Sequence, residues 1–93
     1  MFDHKAAQEA LEILYASIEP LKGKYNRQIR QHIDAGSYDF ALDGIADAYT
    51  ASNVPMPLAL FQLLDKLATD MDLASDPEFS ALTEFRKTHA MGA

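Results

Sequence analysis

The chain has 93 residues, a net charge of −6, no cysteine and 48% hydrophobic side chains. That length makes one small domain, residues 1–93, with enough apolar material for a core; the missing thiol excludes disulfides and thiolate metal sites. No apolar run reaches the roughly 18 residues of a membrane span and no signal-peptide h-region opens the chain, so a soluble cytoplasmic protein is expected.

The first helix is predicted from Asp3 to Ile18, with Asp3 as N-cap. Ala7, Leu11, Leu14 and Ile18 make one buried stripe, and Phe2, Ala6 and Ile13 widen it on a flank. Pro20 ends the segment, because proline cannot donate and restricts the residue before it. The second helix is predicted from Leu21 to Asp34, with Leu21, Tyr25, Ile29, His32 and Ile33 on its core face and Lys22, Lys24, Arg27 and Arg30 outside. His32 has no other His or Cys nearby in sequence, so it reads as a packed histidine rather than a metal ligand.

Asp34-Ala35-Gly36 closes that helix, with Gly36 suited to the left-handed position after a helix end. Ser37 is the predicted N-cap of a third helix running to Thr50. Tyr38, Ala41, Leu42, Ile45, Ala48 and Tyr49 form its core face. Asp39, Asp43 and Asp47 recur every four residues on the opposite side, where like charges repel by roughly 0.2–0.5 kcal/mol per pair. No base within the stretch relieves them, so the stripe is either solvated surface or a docking face for something cationic. Phe40 and Gly44 lie near that acidic side. Phe40 serves either as an apolar anchor ringed by carboxylates or as packing under the loop after Ser52. Gly44 either lets another chain approach the backbone or relieves a clash with a neighbouring helix.

Asn53-Val54-Pro55-Met56-Pro57 is a turn, and Pro57 suits the first position of a fourth helix running to Asp72. Leu60, Leu63, Leu64, Leu67, Ala68 and Met71 line one face of that helix. Asp70 and Asp72 sit at its C-terminal end, where the helix dipole disfavours negative charge, which points to a use beyond folding. Asp76 is the predicted cap of a fifth helix, Pro77 to His89, that brings Phe79, Leu82 and Phe85; the tail from His89 is expected to fray. Five amphipathic segments, no strand and short connections predict an all-α fold, a compact antiparallel bundle of four to five helices.

Chemistry is sparse. The three histidines stand in no ligand-spaced motif, the four glycines make no phosphate loop, and no local context points to a nucleophile with its base. The Asp39, Asp43, Asp47 series lacks the facing carboxylate cluster that a two-metal site needs. No catalytic residue, metal or cofactor is expected, and the chain reads as a non-enzyme. Residues 34–84 hold ten acids and one base, Lys66. Direct nucleic-acid binding by that section is disfavoured, because phosphate contacts need Lys and Arg. Acidity for solubility explains part of this balance; a basic protein partner, drawn in by the opposite field, explains it too.

The run I-R-Q-H-I-D-A-G-S-Y-D-F-A-L-D-G-I-A-D, with N-V-P-M-P-L-A-L-F-Q-L-L-D-K-L-A-T-D-M-D-L after it, resembles the MafI-type immunity proteins, small helical cytosolic proteins encoded beside secreted polymorphic toxins. The resemblance covers about residues 25–73. It rests on Asp34-Ala35-Gly36, Tyr38, Ala41-Leu42, Val54-Pro55, Leu67-Ala68 and Met71-Asp72-Leu73 in order. Ser37 stands where the family often has an acid, and Thr50-Ala51-Ser52-Asn53 lacks the acid common before the proline turn. The resemblance implies an immunity function: binding the C-terminal domain of a cognate toxin, basic and of the RNase or DNase kind, without membrane contact. Asp34, Asp39, Phe40, Asp43, Asp47, Asp70 and Asp72 are the candidate partner-binding residues, in a monomer or weak homodimer. The rival reading is a helical adaptor or regulator that offers an apolar groove along the Phe2, Ala6, Ile13 flank.

Overall fold

The computed structural model describes residues 3–73 and 77–92, with side chains to position 89. Helix α1 spans His4–Ile18. The Asp3 carboxylate caps it, accepting the amides of Lys5 and Ala6, each at 3.1 Å. Ala7, Leu11, Leu14 and Ile18 are buried as their spacing requires, joined by Ala10. Of the apolar flank, Ile13 is 55% exposed and Ala6 is exposed; Phe2 lies outside the described residues.

The second helix starts later than its periodicity predicts. Glu19–Leu21 form a single 3₁₀ turn around Pro20, and Lys22 takes a left-handed φ of 51°. Helix α2 then spans Asn26–Ala35. The delay has a local cause: proline withholds a helical donor, and the reversal at Lys22 sends the chain back along α1. The Asn26 side-chain amide donates to the Ile18 carbonyl at 3.2 Å, satisfying the end of α1. Tyr25, expected in the core, instead precedes α2 and is 52% exposed. Ile29 and Ile33 carry the buried face, and His32 is half-buried. Gly36 closes α2 at φ 81°, its amide donating to Ile33 O at 3.2 Å while Ser37 N donates to His32 O at 2.8 Å. A side chain at that φ would be strained, so the sequence needs glycine there.

Helix α3 spans Tyr38–Ser52, two residues beyond its predicted end, and Asn53 closes it at φ 57°. Ser37 holds the N-cap position, but its hydroxyl makes no capping bond. Helix α4 spans Leu58–Asp70. Pro57 is its N-cap rather than its first residue, and Asp72 lies past its end at φ 55° rather than inside it. A 3₁₀ turn at Pro77–Phe79 leads into α5, Ser80–Gly92. The predicted cap Asp76 lies outside the described residues. The helix is continuous past His89, where the tail was expected to fray, to Gly92. His89 stacks its ring 3.8 Å from Phe85 and 5.4 Å from Phe61, centroid to centroid, and so ties the last turns to α4.

Pairs across the helices fix their directions. Arg30 meets Glu12 and Asn26 meets Ile18, so α2 runs against α1. His4 faces Tyr38 and Tyr49 bonds Ser17, so α3 runs with α1. Phe61 stacks on His89 while Asp65 and Thr69, further along α4, accept from Arg86, so α4 runs against α5. Phe79 packs on Phe40 and Phe85 on Tyr49, so α5 runs with α3. The chain is therefore an antiparallel helical bundle, with the N-termini of α1, α3 and α5 and the C-termini of α2 and α4 gathered at one end.

Helix α3 is the central element and touches the other four helices. Its Ala41, Leu42, Ile45 and Ala46 are fully buried, and small residues at 41 and 46 let neighbours come close. Inside the core, the Tyr49 hydroxyl donates to Ser17 Oγ at 2.8 Å, and Ser17 passes its own hydrogen to the Leu14 carbonyl at 2.6 Å. That relay satisfies two hydroxyls that would otherwise lose water without compensation. The Cα radius of gyration, 11.9 Å, matches the roughly 12 Å of a folded chain of this length.

Candidate functional site

The alternation of helix directions collects acids from distant parts of the sequence. Asp3 begins α1, Asp34 lies in the last turn of α2, Asp39 and Phe40 open α3, Asp70 and Asp72 finish α4, and Glu78 precedes α5. All belong to one end of the bundle. The bases Lys22, Lys24 and Arg27 belong to the other, around the α1–α2 connection. The molecule thus carries a charge gradient along its axis. Asp3 and Glu78 were not among the predicted site residues; the capping pattern gave the role of Asp3 and the charge count gave Glu78, but only the helix directions place them beside Asp39.

Phe40 stands within this end. Its side chain is 45% exposed. One edge packs on the buried Phe79 ring with centroids 5.2 Å apart, and His32 stacks against it at 5.6 Å. It does not pack under the loop after Ser52. Phe40 is an aromatic held in place by two rings and left open to solvent, with Asp39 and Glu78 as sequence neighbours of the stack. The Asp39 carboxylate accepts the Phe40 amide at 2.8 Å, so it is directed along the start of α3.

The acids differ in how far they are already used. Asp34 accepts from Arg30, which also reaches Glu12 on α1 and lies over the Tyr15 ring at 5.2 Å. The Arg30 hydrogen bond holds the Glu12 carboxyl below its ordinary value against the smaller effect of desolvation. Asp70 pairs with Lys66 at 3.2 Å. Asp72 is exposed, and its φ of 55° is one that Asp tolerates better than most residues. Asp47 is exposed but lies about two turns along α3 from Asp39, beside a hollow under Tyr25 and Lys24.

Asp43 departs most from expectation. Its side chain is half-buried, and Oδ1 accepts the Leu82 backbone amide at 2.9 Å. Leu82 is the third residue of α5, so Asp43 caps that helix from a different element. Burial pushes its carboxyl above the ordinary value, the Leu82 amide pulls it back, and the Asp47 charge pushes it further up. The three-acid stripe on α3 is therefore interrupted: α5 covers its middle member. Charge reversal at Asp43 would unseat α5 and does not serve as a fold-neutral probe of binding.

Gly44 is explained within the chain. A Cβ there would stand 2.7 Å from Ile29 Cγ1, so the glycine exists to let α2 lie against α3. No group of three or more His, Cys, Asp or Glu side chains suited to a metal ion occurs among the described residues. No helix among them is long and apolar enough to cross a membrane. No protein-family model, curated protein or solved structure matches the chain.

Proposed function

We propose that this protein is a non-enzymatic immunity protein that binds and neutralises the basic C-terminal domain of a cognate secreted toxin, most simply a nuclease, through the acidic end of its bundle. The observation that carries the reading is Phe40: an exposed aromatic, braced by His32 and Phe79, at the end where the acids converge. Aromatic anchors with a polar, excluded rim dominate binding energy at protein interfaces. Nuclease sites are basic because they bind phosphate. An acidic end with one apolar anchor is complementary to such a site in charge. The resemblance of residues 25–73 to the MafI-type immunity proteins supports the same reading.

Helix capping accounts for part of the acidity without any partner. Asp3 and Asp43 cap helices, and Asp39 and Glu78 lie in first turns where the dipole favours them. Asp34, Asp70 and Asp72 lie at helix C-termini, against the dipole, and capping does not account for them.

The test is co-expression of the tagged chain with the reading frame immediately upstream in its genome. Under the proposal a small basic domain co-purifies and is toxic when expressed alone. The variant pair Asp39→Lys with Phe40→Ala, at exposed or half-exposed positions, keeps the helical fold, checked by circular dichroism, and loses protection. Full protection by that double variant removes the acidic end as the interface; no toxicity and no capture removes the immunity function.

A further inference from the structure

We infer that the hollow between the C-terminal turn of α3 and α5 is a seat for an arginine side chain of a protein partner. It lies at the opposite end of α3 from Phe40, about 20 Å away at 1.5 Å per residue. Its volume is about 350 Å³, at the small end of the ~300–1,000 Å³ of ligand sites and suited to one long side chain. Val54, Pro55 and Phe85 give it apolar walls that match the methylene stem of an arginine.

Its polar groups are matched to a donor. Glu84 is the one carboxylate in the lining, and no cation lies within ion-pair distance of it among the described residues. The Thr50 and Thr88 hydroxyls donate to the carbonyls of Ala46 and Glu84, at 3.0 and 2.9 Å, which leaves their oxygens as acceptors. His89 Nδ1 lies 2.9 Å from the Phe85 carbonyl, a group that only accepts, so Nδ1 carries the hydrogen. The end of α3 adds negative potential, with no base in its last turn to cancel it. No Lys or Arg lines the hollow. Glu84 and the two threonine oxygens offer separated acceptors to a cation with several donors, and the planar guanidinium satisfies them better than a lysine ammonium does.

The assignment of the arginine to a protein partner rests on the proposed function; the pocket itself is testable without that partner. Amide ¹H–¹⁵N spectra are recorded while Nα-acetyl-arginine amide is added, with the neutral citrulline analogue as control and Glu84→Gln as the variant. Glu84 is exposed and its carboxylate holds no other group, so the variant folds. Saturable shifts at Asn53, Val54 and residues 84–89, at least tenfold weaker for citrulline and for Glu84→Gln, support the seat. Equal responses to arginine and citrulline, or shifts confined to Asp39 and Phe40, overturn it and leave the acidic-end reading standing. If the arginine seat is found while co-expression reveals no toxin, the immunity reading falls and the pocket remains.

Discussion

Asp43 is an ionisable group whose placement works against its own charge. The carboxylate satisfies the third amide of α5 but pays for burial and faces Asp47. Replacing it by Asn keeps an acceptor for Leu82 N and removes the buried charge, so Asp43→Asn should be as stable as the parent or more so at pH 7. Asp43→Ala leaves the amide unpaired and should lose about 0.5–2 kcal/mol, the usual cost of a lost cap. The pH dependence has a definite sign. A folded-state value above the unfolded one means that the native protein binds this proton more tightly. The Asp43 contribution is therefore fully present below the ordinary carboxylate value and declines as pH rises through the folded one. Urea melts of parent and Asp43→Asn should diverge in that direction from pH 3 to pH 7, with Asn gaining; a constant difference would mean that Asp43 titrates normally. Nothing in the spacing of Asp39, Asp43 and Asp47 distinguishes the middle residue, because its environment comes from residues 39 positions later.

Among the helices, α2 lies close against α3 at Gly44. The Gly44 backbone admits Ile29 Cγ1 where a methyl group would stand 2.7 Å away. Gly44→Ala gains up to about 1 kcal/mol of helix propensity but overpacks a buried contact, which typically costs about 1–3 kcal/mol. A net loss is expected. The same substitution in an Ile29→Ala background removes the colliding atom, so its penalty should shrink or reverse. Denaturation of the four proteins of that cycle measures the coupling; additivity within about 0.3–0.5 kcal/mol would show that the two helices do not meet there. The sequence marks Gly44 as costly within a helix but does not say which neighbour requires it. The late start of α2 has a similar origin: the apolar pattern from Leu21 is genuine, but Pro20 and the left-handed Lys22 determine the backbone before the pattern acts.

At the scale of the whole molecule, the charge gradient governs encounter. Acids at one end and the Lys22, Lys24 and Arg27 group at the other orient the protein in the field of a basic partner. Added salt shortens the reach of that field from about 10 Å at 0.1 M to about 3 Å at 1 M. If the proposed function holds, the association rate with the toxin domain should therefore fall at least about tenfold over that range while the dissociation rate changes less. A rate that does not respond to salt would point to an apolar mode of binding instead. Ile13, exposed on α1, is a single apolar residue of a kind common on protein surfaces.

The sequence by itself determined the number and type of the elements, the buried stripes of α1, α3 and α4, the closures at Asp3 and Gly36, and the concentration of acids between positions 34 and 84. These follow from local causes: periodicity of apolar residues, caps, and the limits that proline and glycine place on the backbone. How each acid is used depends on the packed helices. Asp43 is covered by α5, Asp34 and Asp70 are held by Arg30 and Lys66, and Asp3 and Glu78 join Asp39 at one end. Tertiary structure also left Phe40 exposed while burying Phe79 beneath it, and it brought Glu84 and His89 against the end of α3. Helix propensity is read within a few residues, whereas the solvent and the partners of a side chain are set by segments far away in sequence, which meet only after the helices alternate and pack.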